Sequence, residues 1–191
     1  MNQTTGMVRA IETLMAEGNT DAVTRACDMI EERTCGADVP PRASDIPLLA
    51  ILATACEFTG EVARAREAAN RWVLAAPLDP YAHYKLALVE QRLKNYPEAS
   101  RRLYLAARLA GPDDDVLYAV RDALGALDVL QLQQIIALRE VDYEFRLQLQ
   151  STPEAALEAK GFALTAGAFQ QLLAHRDNDP EYPLNRPRLL S

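Results

Sequence analysis

Glycine is scarce in this sequence, with 8 in 191 residues, and aromatic side chains make up only 6% of it. β-Branched residues are thinly scattered while Ala and Leu dominate, a balance that favours helix over strand along almost the whole chain. An all-α fold without a sheet is expected. The three cysteines, Cys27, Cys35 and Cys56, form no C-x-x-C pair. An odd and dispersed set fits neither a disulfide framework nor a zinc site, so the thiols are expected to pack as small apolar groups. Long apolar runs are missing too. The longest, Ile46 to Cys56, is broken by Pro47 and Thr54 and reaches about half a membrane span. Between Met1 and Ile11 there is neither a basic stretch nor an unbroken apolar segment of the kind secretion requires. These absences predict a cytoplasmic protein with no membrane partner.

Catalytic signatures are equally sparse. There is no H-E-x-x-H, no G-x-S-x-G, no phosphate loop and no dinucleotide fingerprint. The two histidines, His83 and His175, lie in separate segments, and His83 falls at a core position of the repeat described below. Asp113, Asp114 and Asp115 are consecutive acids at a helix start, where they match the positive end of the helix dipole. No catalytic residue, metal ligand or cofactor is predicted, and the protein is read as a non-enzyme.

What the chain does have is apolar content, 49% of its residues, and a formal charge of −7. The charge is uneven. Residues 60–110 hold nine Lys or Arg against five Asp or Glu, which leaves +4 there and −11 elsewhere. Nucleic acid is disfavoured as a partner by the total. The basic segment suits helix surfaces laced with i,i+4 pairs better than a docking patch for an acidic partner.

The strongest signal is a repeat. Leu49, Leu52, Ala53, Cys56, Gly60, Ala65, Ala69, Trp72 and Pro77 stand 34 residues before His83, Leu86, Ala87, Glu90, Lys94, Ala99, Leu103, Ala106 and Gly111. Ala53 and Ala87 are small where one helix of a pair meets the other, and Ala65 and Ala99 are the reciprocal small residues. Gly60 supplies the left-handed conformation of a tight turn, and Pro97 suits the first turn of the next helix. A looser earlier unit runs through Met7, Ala10, Ile11 and Leu14, then Gly18-Asn19, then Ala22, Ala26 and Met29. The stretch 34–45, with Pro40-Pro41, reads as a loop insertion, because Ala22 to Ala65 spans 43 residues.

This spacing and order of small and large residues resembles the tetratricopeptide repeat family over residues 46–111. His83, Glu90 and Trp72 depart from it. The resemblance implies a short solenoid of antiparallel helix pairs whose concave wall, lined by the first helix of each pair, binds a protein or peptide. The inner positions would be Ala50, Thr54, Phe58, Tyr81, Tyr84, Leu88 and Gln91, followed by Tyr118 and Asp122. Tyr81 and Tyr84 are the expected centre of binding, since tyrosine offers large contact area at low entropic cost. Chaperone-binding members of the family hold a terminal carboxylate with lysine and asparagine. Ala50, Thr54, Tyr84 and Leu88 occupy those places here, so that clamp is missing.

Beyond Gly111 the register is lost. A helix is expected from Asp113–Asp115 to about Ala126, a turn at 125–128, and a long capping helix from Val129 to about Gln150 with Leu130, Ile135, Leu138, Val141, Phe145 and Leu149 along one stripe. Thr152-Pro153-Glu154 predicts a hydroxyl-capped helix ending at Lys160-Gly161, and Thr165 caps a last helix to about His175. The domain reading is therefore 1–128 for the repeats, 129–176 for a helical cap or module, and 177–191 for a proline-rich extended tail.

The run from Asp142 through Phe145-Arg146, Thr152-Pro153-Glu154 and Gly161-Phe162 also resembles the helical leader domains of ribosomally made, modified peptide precursors. That resemblance implies docking of a peptide-modifying enzyme by 129–176, with the tail as substrate. The groove, for its part, is either open to a partner or filled by the chain's own C-terminal segment. An adaptor for protein–protein interaction is the leading expectation, and a precursor or accessory protein of peptide modification is the alternative.

Overall fold

The structure is a computed structural model that describes residues 3–34, 40–112 and 114–178, with side chains as far as Ala174. Among these residues there is no strand. Ten helices follow one another: α1 (Gln3–Ala16), α2 (Thr20–Thr34), α3 (Ile46–Phe58), α4 (Val62–Ala75), α5 (Pro80–Arg92), α6 (Tyr96–Leu109), α7 (Asp115–Val141), α8 (Tyr143–Ser151), α9 (Pro153–Ala159) and α10 (Ala166–Asn178). The chain forms two compact units, one ending at Ala123 and the other beginning at Leu124. Each is built from helices that pack against their sequence neighbours.

In the first unit the boundaries themselves repeat. From Ile46 to Pro80 and from Phe58 to Arg92 is 34 residues, and so is Val62 to Tyr96 and Ala75 to Leu109. The turns explain why. Gly60 adopts φ 83°, which lets the Glu61 amide reach back to the Cys56 carbonyl and close the helix end. Its counterpart Lys94 takes the same left-handed conformation, φ 59°, and the Asn95 amide bonds to the Glu90 carbonyl in the same way. Pro47, Pro80 and Pro97 sit in the first turns of α3, α5 and α6, where a missing N–H does no harm. Asp79 caps α5 by accepting from the Tyr81 amide.

Small residues set how closely the helices approach. Ala53, Ala65, Ala69, Ala87, Ala99 and Ala106 are all buried. Around them Leu48, Ile51, Leu52, Leu86 and Val89 join Ile11, Val23, Cys27 and Ile30 in one core. Each fully buried aliphatic side chain of this kind stabilises the fold by about 1.5–3 kcal/mol. α2 turns a different stripe inward from the one its alanines and Met29 suggest. Val23, Cys27, Ile30 and Thr34 are its buried residues, and Met29 is 59% exposed. Two helical stripes one residue apart were available, and the one with the larger aliphatic groups faces the core. Of the expected loop, Thr34 is the last residue of α2, Ala43–Asp45 is a short 3-10 turn, and 35–39 lie outside the described residues.

Six of the nine basic residues of 60–110 are drawn into ion pairs, several of them between helices rather than along one. Arg64 of α4 meets Asp28 and Glu31 of α2 at 2.8 and 2.9 Å as well as its neighbour Glu61. Hydrogen bonding to Glu31 and then Asp28 raises its affinity for the proton. Arg66 reaches the buried Glu90 at 2.6 Å, and Asn95 donates to the other oxygen of that carboxylate at 2.8 Å. The local pairs are Arg101 and Arg102 with Glu98. Burial works against ionisation of Glu98, yet the two guanidiniums hold its carboxyl below the ordinary range.

In the second unit the turn expected at 125–128 is replaced by uninterrupted helix. Val116, Val120, Ala123, Leu127, Gln131 and Ile135 continue one buried stripe at spacings of three and four straight through Gly125. A glycine inside a helix costs about 1 kcal/mol, less than that stripe contributes. Asp128 serves a tertiary purpose, accepting from the backbone N–H and the hydroxyl of Thr165. The single long helix expected over 129–150 is likewise divided. α7 ends at Val141 because Asp142 is extended, at φ −110° and ψ 96°, and caps α8 through the Phe145 amide at 2.9 Å. Thr152 precedes α9 without capping it, since its hydroxyl bonds to the Gln148 carbonyl instead. Thr165 does accept from the Ala168 amide, at 3.3 Å. The core here is Phe145 with Ile135, Leu149, Ala156, Leu157 and Leu172, bordered by Phe162 and Phe169. The proline-rich tail from 179 onward lies outside the described residues.

Candidate functional site

On α5, Ala82, His83, Leu86, Ala87, Val89 and Glu90 are buried. A helix of 3.6 residues per turn then places Tyr81, Tyr84, Leu88 and Gln91 together on the opposite face. In the 34-residue register the same places on α3 are Pro47, Ala50, Thr54 and Glu57, and on α7 they are Asp115, Tyr118 and Asp122. All lie in the first unit.

Tyr81 is 46% exposed and its hydroxyl donates to an Asp114 carboxylate oxygen at 3.3 Å, linking α5 to the start of α7. Partial burial, then the charge of Asp114, raises its phenol above the usual range. Tyr84 is half-buried, and burial followed by the charges of Asp122 and Glu57 raises it too. Charges of both α3 and α7 thus act on it. Leu88 and Gln91 are partly exposed, and Tyr118 is 61% exposed. The Thr54 hydroxyl donates to the Ala50 carbonyl of its own helix at 3.1 Å. Phe58, at 42% exposed, stands one position beyond the register column, at the rim.

The register column itself holds Glu57, which sequence reasoning passed over. Its carboxylate takes Lys85, and Arg92 at 3.6 Å, while Arg92 also donates to its backbone carbonyl at 3.1 Å. This cluster ties α3 to α5. The spacing of Glu57 and Gln91 was the available signal, but the neighbouring aromatic ring of Phe58 masked it. Also unforeseen is a cleft of about 410 Å³ between α1 and α3, lined by Val8, Glu12, Met15, Pro47, Ala50 and Thr54. It opens beside the α3 end of the same wall. Nothing in the degenerate first unit marks it, because it depends on how α1 packs against α3.

His83 is a core residue. One ring nitrogen, Nε2, donates to the Pro77 carbonyl at 2.9 Å, and Nδ1 then accepts from Arg102 at 3.3 Å. Cys27 and Cys56 are buried, free and hydrogen-bonded to each other across α2 and α3, which raises the Cys56 thiol. Asp113 and Cys35 lie outside the described residues, as does the side chain of His175. No group of three or more His, Cys, Asp or Glu among the described residues could hold a metal ion. No described helix is long and apolar enough to cross a membrane.

No family model, curated protein or solved structure matches this chain. The wall of α3, α5 and α7 thus rests on its own geometry. It offers exposed tyrosine faces together with Asp115 and Asp122, which have no ion-pair partner among the described residues.

Proposed function

We propose that the protein is a short tetratricopeptide-like array acting as a non-enzymatic adaptor, which holds a protein or peptide segment along the wall of α3, α5 and α7. The observation that carries this reading is the placement of Tyr81, Tyr84, Leu88 and Tyr118 on one exposed face while the structural residues of the same helices are buried. The 34-residue recurrence of helix boundaries supports the solenoid assignment. A pull-down comparing wild type with the Tyr81→Ala, Tyr84→Ala double variant tests the wall. Partners lost from the variant are expected, and identical partner sets from two equally folded proteins would sink the proposal.

A second reading concerns the other unit. Residues 124–174 form a small module whose leader-like elements, Phe145, Pro153, Gly161 and Phe162, serve as core, helix start and turn. These elements support docking of a peptide-modifying enzyme by residues 129–176, with the tail as substrate. Intact mass spectrometry of the protein from its producing host tests this, since an unmodified tail under producing conditions counts against the tail as substrate.

A further inference from the structure

The wall changes chemistry from one end to the other, and the gradient specifies its occupant. At the α3 end lies the cleft with α1, lined by Val8, Met15, Pro47 and Ala50 with Glu12 as its one charge. In the middle stand Tyr81, Tyr84 and Leu88. At the far end α7 presents Asp115 and Asp122 on either side of Tyr118, with Asp114 beside Tyr81. Neither Asp115 nor Asp122 has an ion-pair partner among the described residues. Of the cations on α5, Lys85 and Arg92 are both drawn onto Glu57, and Arg121, exposed and next to Asp122 in sequence, is the one cation on α7 at the acidic end. On α4 and α6, Arg64, Arg66, Arg101 and Arg102 are likewise closed by carboxylates. The wall therefore carries three carboxylates at its α7 end, Asp114, Asp115 and Asp122, beside exposed aromatic faces, against the single carboxylate Glu12 in the cleft at the other end.

We propose that this wall takes an extended peptide that is apolar at one end and carries Lys or Arg at the other. Its apolar side chains fill the α1/α3 cleft, and its cations lie between Asp115, Asp122 and the rings of Tyr81 and Tyr118. Carboxylates neutralise the cations while tyrosine faces stack on them, a combination that rejects an acidic or carboxylate-terminated segment by like charge. Two inter-helix steps of about 10 Å separate α3 from α7, which about six extended residues span. The occupant named here rests on the adaptor reading and goes further by fixing its chemistry.

The test uses the full chain and fluorescein-labelled synthetic peptides of about twelve residues, twice that span. They share a leucine-rich half and differ in a lysine-rich, glutamate-rich or serine-rich second half. Fluorescence anisotropy at low salt is expected to show the lysine peptide binding about tenfold tighter than the glutamate peptide. Asp115→Asn with Asp122→Asn should weaken the lysine peptide at least about fivefold. Glu32→Gln with Glu67→Gln removes the same charge from exposed places on α2 and α4 and should change it less than about twofold. Peptides that bind alike, or best with glutamate, yet weaken in the Tyr81→Ala, Tyr84→Ala variant would overturn the basic occupant and keep the adaptor wall. Equal loss in the two charge variants would reduce the preference to net charge and overturn the site. Binding untouched by the tyrosine variant, or no saturable binding of any peptide up to about 1 mM, would overturn both readings.

Discussion

The helix pairs between Ile46 and Leu109 and the unit that begins at Leu124 are both wholly helical where described, yet they are held together differently. The pairs rely on repeated small contacts. Alanines at matching positions let helices approach, and charged clamps such as Arg64 with Asp28 and Glu31, or Lys85 with Glu57, tie α4 to α2 and α5 to α3. The second unit has one aromatic centre. Phe145 is fully buried, and the side chain of buried Gln131 replaces a backbone partner, accepting from the Ala163 amide at 2.6 Å and donating to its carbonyl at 3.2 Å. Repetition spreads stability over many similar interfaces, whereas a single centre concentrates it. In the first arrangement the outward positions Leu88 and Tyr118 stay clear of the core, while Glu57 and Tyr81 also link neighbouring helices.

The largest effect should come from removing that centre. Phe145→Ala is expected to destabilise the second unit by about 3–5 kcal/mol. Hydrogen exchange should show α8 and α9 losing protection while α3 to α6 keep theirs, and equal loss in both would erase the distinction. Overpacking the pairs should do less. Ala99→Leu places a large side chain where α5 and α6 meet and should cost about 1–3 kcal/mol, read by urea denaturation. A neutral result would mean that the alanines do not set the spacing.

Lys94 offers a gain. It holds the left-handed conformation that Gly60 fills in the preceding turn. Lys94→Gly should stabilise the protein by about 0.5–1 kcal/mol in the same assay, and a loss would show that the two turns are not equivalent.

The smallest effect concerns Asp142, which accepts from Lys160 at 2.8 Å and from the Phe145 amide. Lys160, then that amide, holds its carboxyl below the ordinary range. A lowered carboxyl stabilises the fold fully above the unfolded value near about 4, and the contribution fades as pH falls through the lower native value. Asp142→Asn keeps the cap and loses the ion pair. Its melting temperature should therefore lie slightly below wild type at neutral pH and converge with it in acid, and a gap that persists there would assign the effect to packing.

Much of the first unit was legible because its signals are local. The small residues and the left-handed turn position held by Gly60 and Lys94 recur every 34 positions, and the prolines mark helix starts, each acting within its own helix or turn. At Gly125 the same local reading failed, because a continuous buried stripe outweighs one helix-weakening residue. It failed also at Asp142, where a cap within an apolar run divides one helix into two. Of the wall, Tyr81, Tyr84 and Leu88 follow from the register, but Glu57 and the α1/α3 cleft do not.

The sequence by itself determined the helical class and the 34-residue period, since spacing and conformational preference act between residues three or four apart and at each turn. Only the tertiary structure decided which charges are satisfied. Arg66 finds Glu90 across 24 residues and Lys85 finds Glu57 across 28, while Asp115 and Asp122 find no ion-pair partner among the described residues. Electrostatic pairing depends on distance in space and on burial, so one acidic end of an aromatic wall emerges only once the helices are in place.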